Sequence, residues 1–148
     1  MDYCTISYHR PEPLVCQGEG RARLDAWDGR RRLLGELVFQ APVTLHFVEV
    51  EAVRRSWLGQ DRALYAVTVC NRSSLPLDRV EVVPDGAIEP GSLRIEGRTA
   101  EEPVLPGLAA GGQALLTWRE PAGGASQSIG LRYRYTFAGE VREGVCTL

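Results

Sequence analysis

The chain has 148 residues, of which 44% are hydrophobic and 24% charged, with a formal net charge of −2. That is ordinary globular composition with enough chain for one domain and its core, which excludes a disordered protein and leaves too little for two full domains. It also excludes an overall basic field that would recommend nucleic acid or an anionic membrane as a partner.

All 17 basic residues are arginine. No lysine is available for an isopeptide cross-link, a Schiff base or a phosphate-binding loop, so those chemistries are closed to this chain. The start, "MDYCTISYHRPEP", has no basic segment followed by an apolar one, so no secretory signal is visible. No stretch approaches the roughly 18 apolar residues a membrane helix needs, so no membrane insertion is expected.

In chain order, "YCTISYH" alternates as a short strand, and "PEPLVCQGEG" is a turn-rich connector. "RARLDAW" and "RRRLLGELVF" flank Asp28-Gly29, a hairpin signal because a type I′ turn needs positive φ at both central residues. "VTLHFVEVEAV" is mostly apolar on both sides and is expected as one central strand. "RRSWLGQD" is expected as a loop. In "RALYAVTVCN", Tyr65, Val67 and Val69 face one way and Leu64, Ala66, Thr68 and Cys70 the other.

"RVEVV" and "SLRIEG" are shorter strands, and "PVLPGLAAGG" is a connection. "QALLTWRE" is a strand and "PAGGAS" a turn. "SIGLRYRYTF" places Leu131, Tyr133, Tyr135 and Phe137 on one face, and "VREGVCTL" closes the chain. Strands at intervals of about 8–15 residues, separated by Pro, Gly, Asn, Asp and Ser, and no sustained helical period, predict an all-β antiparallel sandwich. The alternation selects Val67, Val69, Leu115, Trp118, Leu131, Tyr133 and Tyr135 for its core.

The run "YAVTVCNRSSLPLDRVEVVPDG…IEPGSLRIEG", with "PGLAAGGQALLTW" and "LRYRYTF" after it, resembles the immunoglobulin-like bacterial surface repeats filed as domain of unknown function eleven. In that family a Tyr-x-Val-x-Val-x-Asn strand leads into a Ser/Gly-x-x-Pro-Leu turn, and "PGS" precedes a later strand. Here "GQD" at Gly59–Asp61 and "VPDG" depart from the usual forms. The resemblance covers about residues 43–148 and implies an immunoglobulin-like, extracellular structural sandwich. The expected organisation is an N-terminal extension of arm plus hairpin over residues 1–42, which extends the sheets of a sandwich over residues 43–148.

No catalytic constellation is legible. His9 and His46 have no Asp, Glu or Cys at triad or metal-ligand spacing, and His46 reads as a sheet histidine. Gly107, Gly111 and Gly112 read as turn glycines, and the acidic residues are scattered singly. Trp27, Trp57 and Trp118 read as packing residues or as a ligand platform. The expectation is a non-enzyme with no cofactor and no metal.

The four cysteines, Cys4, Cys16, Cys70 and Cys146, show no Cys-x-x-Cys spacing. They read either as reduced thiols or as an oxidised framework, with Cys4 and Cys146 near the termini and placed to reach a neighbouring chain. The layout is similar to that of endospore appendage subunits, small sandwiches whose N-terminal cysteine-bearing arms cross-link successive copies. The leading expectation is a structural subunit of an extracellular, cell-surface or spore-surface fibre. Its partners are other copies of itself, residues 1–18 contact a neighbour, and Cys4 bonds Cys146 or Cys70 of another chain. The alternatives are an adhesive or ligand-binding module acting through sandwich loops and Trp57, and a cytoplasmic location.

Overall fold

The computed structural model describes the strands β1 (Asp2–Thr5), β2 (Leu14–Cys16), β3 (Gly20–Arg23), β4 (Arg31–Arg32), β5 (Glu36–Phe39) and β6 (Val43–Leu45), and then the continuous chain from residue 46 to residue 148. The later strands are β7 (Val48–Leu58), β8 (Arg62–Asn71), β9 (Arg79–Pro84), β10 (Arg94–Ile95), β11 (Arg98–Thr99), β12 (Val104–Leu105), β13 (Gln113–Pro121), β14 (Ile129–Phe137) and β15 (Glu140–Thr147). No helix occurs among the described residues, and none is long and apolar enough to cross a membrane.

Two antiparallel sheets carry the architecture, ordered β11-β10-β13-β8-β7-β4 and β12-β9-β14-β15. With β7, β8, β9, β10, β13, β14 and β15 taken as strands A to G, the orders A-B-E-D and C-F-G are those of a constant-type immunoglobulin sandwich. The fold class expected from the sequence is therefore the one observed. β12 departs from that plan, adding to the free edge of β9.

Period-two alternation decides which residues meet between the sheets. Tyr65, Val67 and Val69 of β8, Leu116 and Trp118 of β13, Val80 and Val82 of β9, and Ile129, Leu131, Tyr133 and Tyr135 of β14 form one buried cluster. At roughly 25 cal/mol per Å² of apolar surface removed from water, these long side chains supply the main drive for closing the sandwich. Tyr65 and Trp118 stack with ring centroids 5.5 Å apart.

Five local expectations need correction. "VTLHFVEVEAV" is not one central strand. Val43–Leu45 pairs with β2, residues 46 and 47 lie outside any strand, and β7 starts at Val48. Beyond Val48 and Glu49, which pair with β4, β7 is an edge strand. "RRSW" is not loop either: β7 runs on to Leu58, pairing Ser56 with Tyr65 and Leu58 with Ala63. Its arginines are tolerated because an edge strand of this kind has one face and one edge in water.

Leu115 is 40% exposed whereas Leu116 is fully buried. Leu115 and Trp118 are three apart and cannot share a face in a period-two strand; the alternation puts Leu116 with Trp118. "SLRIEG" holds two short strands, β10 and β11, joined by a tight turn at Glu96 and Gly97, both with positive φ. The connection "PVLPGLAAGG" likewise contains a strand, β12.

Of the N-terminal region, β4 does extend the main sheet, while β1, β3 and β5 form a sheet of their own. "RAR" and "ELVF" do pair, as β3 with β5. Asp28-Gly29 lies outside the described residues. β1 pairs in parallel with β3 of its own chain, Cys4 facing Ala22 in the register.

Candidate functional site

The outer face of the β7-β8-β13 sheet is the most distinctive surface. The pairing register lays its side chains out in rows. Val53, Thr68 and Leu115 form one row, Arg55, Ala66 and Thr117 the next, and Trp57, Leu64 and Arg119 the third. Trp57 is 53% exposed and Val53, Leu64 and Leu115 are exposed with it. Val53, Arg55, Trp57, Ala66, Thr68 and Leu115 line a shallow depression of about 510 Å³.

The rim of this patch is charged and paired. Arg72 Nε lies 2.6 Å from Glu51 Oε2, and Arg62 and Arg119 both bridge to Glu89 at 3.3 and 3.5 Å. Arg55, in the middle row, has no such partner among the described residues. The patch thus combines exposed apolar side chains and an aromatic one with an arginine in its middle row and a charged, paired rim, features that recur in protein-binding surfaces.

Beneath one end of this sheet lies a buried polar network. Glu120 is fully buried. Trp118 Nε1 donates to its Oε2 at 2.8 Å, and the Ser126 amide and hydroxyl donate to its carboxylate at 3.1 and 2.6 Å. The Gly86 amide donates to Ser126 Oγ at 2.8 Å, and the Tyr65 hydroxyl to the Ser126 carbonyl at 2.9 Å. Arg54 closes the open side of the sandwich: its guanidinium donates to the carbonyls of Ser126 and Gln127, both at 2.9 Å, and lies 5.4 Å from the centre of the Tyr65 ring. Burial, and then the Glu120 carboxylate, push the Tyr65 phenol above its ordinary value of 10.0, while Arg54 opposes them.

This arrangement pins the β13–β14 connection to the core. The Ser126 hydroxyl is buried between Glu120 and the Gly86 amide, and the Tyr65 hydroxyl is taken up by a backbone carbonyl. A Cβ on Gly86 would run into Glu120 Oε1 and into backbone of Gly124 and Ser126, so glycine is required there by close approach.

The residues singled out from the sequence scatter. Cys70 sits on the outer face at the patch's edge, between Glu51 and Gln113 in the register. Cys146 is on β15 and packs against the core from within. Both are thiols rather than half-cystines, and they lie on different sheets. The side chains of Cys4 and Cys16, together with His9 and Trp27, lie outside the described residues. His46 Nδ1 is 3.3 Å from Ser74 Oγ, and its ring meets Phe137 edge-on at 6.0 Å, a packed histidine beside the sandwich. Trp118 is core. Trp57 is exposed, but on a strand rather than in a loop. No group of three or more His, Cys, Asp or Glu gathers among the described residues.

Reading "RRSWLGQD" as loop hid the face, because Val53, Arg55 and Trp57 align only if the strand continues. The signal was present: Val53, Arg55 and Trp57 alternate with Ala52, Arg54 and Ser56 without a break.

No family model matches the chain, and no curated protein matches it. Among solved structures it is similar to the GAE domain of GGA2p from Saccharomyces cerevisiae, at 15% identity and a TM-score of 0.38, over 68% of this chain and 86% of that one. Neither the fold described above nor the reading of the outer face rests on so distant a likeness.

Proposed function

We propose that the protein is a non-catalytic structural subunit that self-assembles into a fibre at an extracellular, cell or spore surface. The observation that carries this reading is the apolar outer face around Trp57 with Arg55 near its middle. Two copies packed face to face on that patch would bring two guanidiniums together, a like-charge contact that costs several kcal/mol. The patch is therefore suited to a different, carboxylate-bearing surface of a neighbour. Contacts between unlike surfaces propagate into an open filament wherever their rotation does not close a ring. The exposed pair Glu101 and Glu102 is one such surface on the same molecule. The resemblance to bacterial surface repeats points the same way.

Cross-linking has one well-placed thiol among the described residues. Cys70 borders the outer face, whereas Cys146 turns toward the core, so Cys70 is the partner this reading assigns to the N-terminal Cys4 of another copy.

The test is negative-stain microscopy of the purified protein with and without reductant, beside a Trp57→Asp variant. Fibres from the wild type that are lost in the variant support the reading. A monomer under all conditions that binds an immobilised glycan or protein through Trp57 supports an adhesive module instead.

A further inference from the structure

Among the described residues β15 is a long sheet edge that no other segment covers. Ile129 and Leu148 exchange backbone hydrogen bonds, Leu148 donating at 2.8 Å and Ile129 at 3.4 Å. Alternation along an antiparallel ladder then assigns the bonded positions facing β14 to Glu140, Arg142, Gly144 and Cys146. The amides and carbonyls of Val141, Glu143, Val145 and Thr147 consequently point away from β14, at the open edge. Among the described residues no strand pairs there.

Natural edges are blunted by proline, charged side chains, bulges, shortness or a covering segment. β11 and β12 are two residues each. The inner side of the β7 edge is bridged by Arg54. β15 runs for eight residues with an unbroken register and no proline, and its charges are confined to Glu140, Arg142 and Glu143 in the first half of the strand. Val141 and Val145 stand 63% and 57% exposed on it. Such an edge is a template for another strand.

The geometry points to β15 of a second copy as that strand, paired antiparallel about a two-fold axis through Gly144. Side chains on one face must meet their own kind of face, so the axis passes through a residue. Through Arg142 it would set Arg142 against itself, and through Glu143, Glu143 against itself; like charges directly opposite are destabilising. Through Val145 it would leave the Val141 groups unpaired.

Through Gly144 it sets Val141 against Thr147 and Glu143 against Val145 of the partner copy. Every edge-facing amide and carbonyl of the strand is used, and no like charges are opposed. Gly144 falls at the close, non-bonded pair, where Cα atoms approach to about 4.5 Å. The two four-stranded sheets become one continuous sheet. This contact is a second, closed one beside the propagating face of the self-assembly reading, and the two can fail separately.

The tests use the full chain in sedimentation velocity and in oxidative cross-linking. The wild type is expected to dimerise at concentrations up to about 100 μM. Val145→Pro removes an amide that points at the edge and none that β14 uses, so it is expected to keep its fold and weaken dimerisation by at least about tenfold, while Val145→Ala dimerises. Should Val145→Pro not fold, Thr147→Pro makes the same test at the strand's end. In this register Arg142 lies opposite Cys146 of the partner copy, so Arg142→Cys is expected to give a disulfide dimer on oxidation that disappears when Cys146→Ser is added. A monomeric wild type overturns the proposal, as does a folded proline variant that dimerises normally or an Arg142→Cys chain that does not cross-link through Cys146. Fibres formed by a protein with no β15 dimer would sink this proposal and leave the fibre reading standing; a β15 dimer that never forms fibres would do the reverse.

Discussion

Trp118 donates its indole N–H to the Glu120 carboxylate at 2.8 Å, from the next inward-facing position along the same strand. The pair puts a polar contact at the end of an otherwise apolar row. Its purpose becomes clear from Ser126, which donates twice to the same carboxylate and so fixes the turn between β13 and β14. Glu120→Leu would leave the indole, the Ser126 amide and the Ser126 hydroxyl without their acceptor. A buried donor left unsatisfied costs about 1–3 kcal/mol, so the loss of unfolding free energy in urea is expected to exceed about 3 kcal/mol. Glu120→Gln keeps the shape but turns an amide group toward those donors, and an intermediate loss is expected.

The two leucines in sequence on β13 separate the faces. Leu116 is fully buried and Leu115 is 40% exposed. Leu116→Ala is expected to cost about 2–5 kcal/mol and Leu115→Ala under about 1 kcal/mol, read from urea midpoints at constant m-value. Equal losses would mean that Leu115 is covered, by the N-terminal segments or by another copy.

Much of the fold was legible because β8, β9, β13 and β14 alternate cleanly between turn residues. What was not legible has a physical cause in each case. Leu45, Phe47, Val48 and Val50 put apolar residues on both faces, so periodicity alone could not show that the strand restarts at Val48. Arg54 and Arg55 look like loop because they are charged, yet one reaches across the sandwich opening and the other stands on an exposed face. Leu115 and Leu116 are chemically equivalent, and only the register with Thr68 and Val67 distinguishes them. The outer-face site was legible only in part: Val53, Arg55 and Trp57 alternate in one segment, but the face they complete belongs to three strands whose order no single segment encodes.

Tyr133 lies over Gly144, its partner across the β14–β15 pair. A Cβ at Gly144 would fall inside the Tyr133 ring, so Gly144→Ala is expected to cost about 1–3 kcal/mol through overpacking. Shortening the ring should remove the conflict. In the Tyr133→Ala background, Gly144→Ala is expected to cost much less, giving a coupling energy of at least about 1 kcal/mol in a double-mutant cycle. Additive losses would show that the glycine is needed for its backbone alone.

The remaining prediction concerns alkaline pH. The Tyr65 phenol is raised above 10.0, first by burial and then by the Glu120 carboxylate. A group that holds its proton more tightly when folded contributes its stability in full below its unfolded value. That contribution is lost as the pH rises through the folded value, because the unfolded chain ionises first. Unfolding free energy is therefore expected to be flat with respect to this group below pH 10.0 and to fall above it. Tyr65→Phe cannot ionise, so it should lose the hydrogen bond to the Ser126 carbonyl, worth about 1 kcal/mol, and with it part of the alkaline decline. The measurement is urea unfolding of both proteins between pH 8 and 11, with tyrosine ionisation followed by ultraviolet absorbance. An identical decline in the two proteins would assign the alkaline loss to other groups and remove Tyr65 from this role.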